Sequence, residues 1–290
     1  MRRSRRPRPM PGRQPVSESP VPDVPVLVEM GGGVAEVTLN RPGKMNALTP
    51  EMLVRLDQAW AQISKDPEIR VVILTGAGER AFCAGADLGR LTPLLTRARQ
   101  AEDEWDEALL ADPLLLNRAL LRGTEMITPV IAALRGQVVG GGMELMLACD
   151  LRVAAEDCRF GLMEVKRGLI PAAGGIARLS RQVAQAQAAE ILLVGDRIPA
   201  AQALAMGLVN RVVPADEVMA TARALAGRMA ENGPLAMRKA KQVMLESSGR
   251  SLGEGFAAED EAIKVVLRSA DAREGSRAFT EKRPPHFTGA

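Results

Sequence analysis

Apolar positions along the chain recur with two different periods, and the changes between them mark out strands and helices. Val26-Leu27-Val28-Glu29 and Val34-Ala35-Glu36-Val37-Thr38-Leu39 are rich in β-branched residues and are joined through Gly31-Gly32-Gly33, which predicts two strands and a turn. From Pro50 to Lys65 the period becomes helical. Met52, Leu53, Leu56, Trp60 and Ile63 share one face, Thr49 can cap the helix, and Pro50 suits its first turn. Val71-Val72-Ile73-Leu74-Thr75 is continuously apolar up to Thr75, as a strand buried on both faces would be. Residues 97–122 mix charges with leucines and read as helical. Val130–Leu134, Leu151–Ala154 and Leu208–Val213 read as further strands, and from Ala215 the pattern is helical nearly to the end. Strands and helices interleaved, then an all-helical tail, predict an α/β core with a C-terminal helical appendage.

Composition narrows the chemistry. The 290 residues include one His, no Tyr and three Cys. His286 lies close to the C-terminus, a poor place for an imidazole that must sit beside a nucleophile. One His excludes a multi-His metal site, and Cys83, Cys149 and Cys158 form no C-x-x-C pair, so no metal is expected. Acid–base work therefore falls to Asp, Glu, Lys or backbone dipoles. Hydrophobic residues at 47% and charged residues at 25% describe an ordinary globular protein. Scattered Cys suit a reducing compartment, which points to the cytoplasm. No apolar run approaches the ~18 residues of a membrane span, so no membrane association is expected.

The net charge of +3 is unevenly placed. Arg2, Arg3, Arg5, Arg6, Arg8 and Arg13 precede any acid, and residues 1–25 hold seven of the nineteen Pro. Pro blocks helix, so this segment is expected to be a disordered basic arm. Its prolines spoil the amphipathic helix of a transit peptide. It has no aromatic residues to stack on bases, so no nucleic-acid partner is expected.

Two glycine-rich stretches bear on function. Gly76-Ala77-Gly78-Glu79-Arg80-Ala81 fits a dinucleotide fingerprint literally, but Phe82-Cys83-Ala84-Gly85 follows with no helical face, so a tight turn after a strand is the better reading. Gly140-Gly141-Gly142 precedes the apolar Met143-Glu144-Leu145-Met146-Leu147. Glycines let backbone approach a ligand closely, and a helix opening there offers unpaired N–H groups to a developing oxyanion. A plain strand-to-helix turn would use the same glycines. Glu144 is the only charge between Arg135 and Asp150. Buried, it would have a raised pKa and could exchange protons near neutrality; exposed, it would be a first-turn acid favoured by the helix dipole. Glu164 also follows apolar residues and precedes a second glycine-rich helix start, Gly168 to Gly175. The alternative for it is a surface ion pair with Lys166 or Arg167.

At this point the chain resembles the crotonase superfamily, also called the enoyl-CoA hydratase/isomerase family, from about Val26 to Phe287. Leu39-Asn40-Arg41-Pro42-Gly43-Lys44-Met45-Asn46-Ala47-Leu48 is similar to its early signature. Ala81-Phe82-Cys83-Ala84-Gly85-Ala86-Asp87-Leu88 and Gly140-Gly141-Gly142-Met143-Glu144-Leu145 are similar to its two oxyanion segments. Pro171-Ala172-Ala173-Gly174-Gly175, Gly195-Asp196-Arg197-Ile198, Gly207-Leu208-Val209 and Ala278-Phe279-Thr280-Glu281-Lys282-Arg283 continue the likeness in order. The resemblance implies a crotonase-like spiral of β-β-α units over 26–214 and a helical region over 215–290 that forms a homotrimer or homohexamer. It implies an acyl-CoA thioester substrate, with coenzyme A part of that substrate and no separate cofactor. By position, the N–H groups of Ala86 and Gly141 form the oxyanion hole. Lys44 lies near the CoA phosphates and Ala84, Asp87 and Leu88 near the adenine, while Phe279 and Lys282 contact CoA from a neighbouring subunit.

Glu144 and Glu164 fall where the hydratases of the family carry two glutamates. That implies hydration of a trans-2-enoyl-CoA, with Glu164 protonating C2 and Glu144 activating the water. The alternatives are double-bond isomerisation by one Glu, or a non-catalytic crotonase-like binding protein. Two departures stand out: Leu162-Met163 replaces Gln-Pro, and Ala172 replaces Gly. Leu162 is expected to leave Glu164 drier, and the Ala172 methyl to crowd the acyl chain or the water. The segment from Gly89 to Thr128 is expected to line the acyl pocket.

Overall fold

The computed structural model describes residues 24–123 and 126–290. The basic arm expected over residues 1–25 therefore lies almost wholly outside the described residues. Among the described residues ten strands form two sheets. β1 (Val26–Gly31), β2 (Val34–Leu39), β3 (Val71–Gly76), β5 (Val130–Leu134), β7 (Leu151–Ala155) and β10 (Arg211–Val213) make a six-stranded sheet in that order. β4 (Ala81–Cys83), β6 (Gln137–Val139), β8 (Arg159–Gly161) and β9 (Ile198–Pro199) make a smaller one. β1 pairs with β2 antiparallel, and every later neighbour in the large sheet is parallel. Successive strands β3 to β8 alternate between the sheets, with a helical segment after each pair. This is the expected spiral of β-β-α units.

The helices are α1 (Pro50–Lys65), α2 (Leu91–Leu95), α3 (Glu104–Ala111), α4 (Leu115–Ala119), α5 (Gly141–Leu147), α6 (Gly175–Gln182), α7 (Gln185–Ala189) and α8 (Ala200–Ala205), then α9 (Val218–Ala230), α10 (Pro234–Ser247), α11 (Leu252–Leu267) and α12 (Ala270–Glu281). α1 follows its sequence signals closely. Thr49 Oγ1 accepts from Met52 N at 3.3 Å, and Met52, Leu53, Leu56, Trp60 and Ile63 are buried. Burying each such side chain contributes about 1.5–3 kcal/mol before entropy is counted. Val218, Ala222 and Ala226 seat α9 against the large sheet, whereas α10 to α12 leave much of their apolar surface exposed.

Two expected elements differ. Residues 97–122 do not form one helix. Asp103 caps α3 by accepting from Asp106 N, Asp112 ends it before Pro113, and Leu121 with φ 55° stops the chain after α4. A residue before proline avoids the helical region, so leucine spacing alone overestimates the helix. The strand expected over Leu208–Val213 begins only at Arg211. Leu208 N and Val209 N both donate to Ala203 O, closing the end of α8 instead. The Gly76–Arg80 stretch is the tight turn expected, with Gly78 at φ 78° and strand β4 immediately after it.

Candidate active site

Between the turns that follow β4, β6 and β8 and the α2–α4 segment lies a cavity of about 360 Å³. Its floor joins two backbone segments. Gly140 N donates to Gly161 O at 2.9 Å, and Gly140 turns the chain at φ 55° into α5. Gly141, the first residue of α5, has an N–H with no acceptor inside the helix. Gly142 must be glycine for a different reason. A Cβ there would lie 2.4 Å from Cys83 O, so α5 presses directly on β4.

Ala86 supplies the opposite edge. It forms a parallel bridge with Leu48, in which Leu48 N donates to Gly85 O and Asp87 N to Leu48 O, both at 2.8 Å. That pattern uses the groups flanking Ala86 and turns its own N–H away from Leu48. A Cβ built on Gly141 would lie 3.9 Å from Ala86 N. The two expected oxyanion donors are thus brought together, and among the described residues neither N–H has an acceptor.

Both glutamates line the same cavity. Glu144 is 5% exposed, so the exposed first-turn alternative does not hold. Its Oε1 accepts from Ala173 N at 2.7 Å and Gly175 N at 2.9 Å. Burial pushes the Glu144 carboxyl upward; the N–H groups of Gly175 and Ala173, the Arg178 charge and, least, the N–H of Ala172 oppose it. Glu164 starts a 3-10 turn, Glu164–Arg167. Its Oε2 is buried without a hydrogen-bond partner, and Lys166 pairs with Asp196 instead of with it. Burial first, and the Glu144 charge as well, push the Glu164 carboxyl upward. An unpartnered buried carboxyl oxygen favours the neutral acid, whereas a doubly anchored one favours the carboxylate. The two glutamates are therefore differentiated: Glu144 is suited to accept a proton and Glu164 to donate one.

The walls are apolar. Leu91, Leu95, Leu116 and Leu120 come from the expected Gly89–Thr128 segment, and Leu169 and Ile170 from the loop before α6. Leu169 and Ile170 carry no signal in the sequence, because a two-residue apolar step between Gly168 and Pro171 has no helical or strand period. Ala172 faces the cavity as expected, but Leu162 does not. Leu162 is fully buried in the core, and Met163 takes the position facing the cavity. The dryness of Glu164 comes from its burial as a whole, not from direct lining of the cavity by Leu162.

The remaining candidates are spread more widely. Ala84 and Leu88 line the cavity. Asp87 does not: it pairs with Arg41 at 3.2 Å and accepts from Gly89 N and Arg90 N, shaping the turn behind Ala86. Lys44 is exposed at the end of a short 3-10 turn and lies outside the cavity lining. Phe279, 87% exposed, and Lys282 both belong to the far end of α12, and neither lines the cavity. A second, polar cavity beside α12 is bounded by Arg277, Arg283 and Glu274, whose charges pair with one another. Among the described residues no group of three or more His, Cys, Asp or Glu could hold a metal ion. No helix of the described residues is long and apolar enough to cross a membrane.

Comparison with known proteins points the same way as the geometry. The family profile described as Enoyl-CoA hydratase/isomerase matches residues 29–290. The (E)-benzylidenesuccinyl-CoA hydratase of Thauera aromatica is 39% identical over 267 residues, covering 92% of this chain and 100% of its own. The short-chain-enoyl-CoA hydratase of Clostridium acetobutylicum is 36% identical over 259 residues, covering 89% and 95%. The crystal structure of an enoyl-CoA hydratase from Bacillus anthracis matches with a TM-score of 0.83 at 38% identity, covering 92% of this chain and 100% of that one.

Proposed function

The chain belongs to the enoyl-CoA hydratase/isomerase family, and from that premise we propose that it adds water to a trans-2-enoyl-CoA to give a 3-hydroxyacyl-CoA. One observation carries the reading: two differentiated carboxyls and two unpartnered N–H groups share one apolar cavity. The thioester oxygen accepts from Ala86 N and Gly141 N. Glu144, as the carboxylate, takes a proton from water as the water oxygen bonds to C3. The C2–C3 π electrons move toward the thioester, and the charge gathers on the held oxygen, where preorganised donors act most strongly. As the carbonyl re-forms, Glu164 gives its proton to C2. The net addition is H and OH, and the proton gained by Glu144 offsets the one lost by Glu164.

Isomerisation needs only one of these carboxyls, so the presence of both favours hydration. The same reading assigns the mouth near Ala84 and Leu88 to coenzyme A, with Asp87 shaping that loop and Lys44 near the phosphates. It assigns the exposed apolar face of α10–α12, which includes Phe256, Ile263 and Leu267, to a homotrimer or homohexamer. Phe279 and Lys282 then reach coenzyme A on a neighbouring subunit. A cytoplasmic location fits the three buried free thiols.

Turnover of a series of trans-2-enoyl-CoAs tests the proposal. Wild type should consume the conjugated enoyl thioester, and Glu144→Gln and Glu164→Gln should each lower kcat by ~10²- to 10⁴-fold with little change in KM. Absence of turnover at every chain length, with coenzyme A binding intact, would overturn it.

A further inference from the structure

We propose that Arg122 and Arg178 are positioning residues for Glu144, acting through the backbone of the Ala172–Gly175 loop; what Glu144 then does rests on the hydratase reading. The connection is a chain of hydrogen bonds. Glu144 Oε1 accepts from Ala173 N, and that N–H belongs to the peptide unit joining Ala172 to Ala173. The carbonyl oxygen of the same unit, on Ala172, accepts from Arg122 Nη1. A cation bound to an amide oxygen draws electron density through the amide and strengthens donation from its N–H. Arg122 thus acts on Glu144 without touching it.

Arg178, half-buried on α6, holds the next link. Its Nη1 donates to Ala173 O at 3.3 Å, and its Nη2 donates to Leu121 O. One guanidinium therefore ties the loop that carries Glu144's two donors to the residue preceding Arg122. A Cβ on Gly174 would lie 3.0 Å from Arg178 Nη1, so loop and guanidinium are closely fitted. Among the described residues neither arginine forms an ion pair. Their acceptors are the three carbonyls and Asn117 Oδ1. Arg178 thus brings its charge to bear on Glu144, while the exposed Arg122 reaches it only through the Ala172–Ala173 peptide unit.

Among the described residues, other charged and titratable groups also bear on that site. Glu164 faces Glu144 from the 3-10 turn, with Arg167 beside Glu164, and Cys149 lies near Arg178 at the end of α5. Burial drives the Glu144 carboxyl up and the Arg178 charge drives it down. Removing Arg178 takes away that charge, and removing Arg122 weakens donation from Ala173 N, so either change should make Glu144 harder to ionise. The acid limb of kcat/KM, which needs the Glu144 carboxylate, should move to higher pH.

The test uses Arg122→Gln, Arg178→Met and Arg178→Lys in the full chain. Arg122 is exposed, so Arg122→Gln should fold and melt as wild type does. In Arg122→Gln and Arg178→Met the acid limb should rise by about one pH unit or less, kcat should fall about tenfold, and KM should change less than about threefold. Arg178→Lys, which keeps the charge, should hold the limb near its wild-type position. A carbon-13 titration of the Glu144 carboxyl, assigned by its loss in Glu144→Gln, should show the same upward shifts. That titration needs no turnover, so it stands even if the wild type hydrates nothing and the functional reading fails. The inference is overturned if both the Glu144 titration and the acid limb are unchanged in Arg122→Gln and Arg178→Met. An equal kcat loss in Arg178→Met and Arg178→Lys with no shift would likewise mark a purely structural role.

Discussion

Glu144 and Glu164 share a cavity but not an environment. One is anchored through Oε1 to two backbone donors; the other keeps a buried oxygen without a partner. The sequence shows Glu144 as an isolated charge in apolar company and Glu164 as an acid between apolar residues and Lys166-Arg167; the family resemblance, not that pattern, assigned both to the site. The pattern did not show how they differ, because the difference lies in donors from Ala173 and Gly175, about thirty positions downstream of Glu144. Arg122 and Arg178 were not legible at all, since an arginine aimed at a carbonyl has no spacing signature. The raised Glu164 pKa has a consequence for stability. A carboxyl whose folded pKa exceeds its unfolded value binds more protons when folded, so it costs stability as pH rises above its unfolded pKa. Below about pH 4.3, the ordinary Glu value, the acid is protonated in both states and resembles Gln. Glu164→Gln should therefore melt like wild type at pH 4 and hotter than wild type at pH 8, as followed by thermal denaturation. An equal Tm difference at both pH values would contradict the assignment.

At the scale of elements, periodicity located α1 with its cap and the long strands well. It failed where local chemistry overrides spacing. Asp103, Asp112, Pro113 and Leu121 break residues 97–122 into short helices. Asp106, fully buried, ties that segment down by accepting from both Arg99 Nη atoms at 2.5 and 2.8 Å and from Glu102 N at 2.9 Å. Arg99 in turn donates to Arg90 O at 2.8 and 3.0 Å, which ties the segment to the start of α2, an arrangement invisible to a hydrophobic pattern. α5 was legible as a helix opening at glycines, but which glycine matters for which reason was not. Gly140 needs its positive φ, and Gly142 needs the space. Gly142→Ala should force α5 away from Cys83 O, cost about 1–3 kcal/mol of stability by overpacking, and lower kcat more than KM by displacing the Gly141 N–H. Denaturant unfolding and steady-state kinetics on the one variant measure both. Unchanged kcat would separate α5 from the oxyanion site.

Across the whole molecule, the alternation of strands between two sheets brings Ala86, Gly141, Glu144 and Glu164 to one cavity from separate turns of the spiral. The three-residue strands β4, β6 and β8 are too short for any period to register, so the second sheet was not readable from spacing. Its motifs were readable, and they marked the family before its geometry. Parallel pairing of β4, β6 and β8 sets the Ala86 turn beside the Gly140 turn, and every catalytic assignment depends on that placement. The most direct test of the account is turnover of a trans-2-enoyl-CoA in deuterated, oxygen-18-enriched water, with the product analysed by mass spectrometry and NMR. The account predicts a 3-hydroxyacyl-CoA carrying oxygen-18 at C3 and a single deuterium at C2, both added to the same face. Deuterium incorporated with a shifted double bond and no oxygen-18 would contradict it.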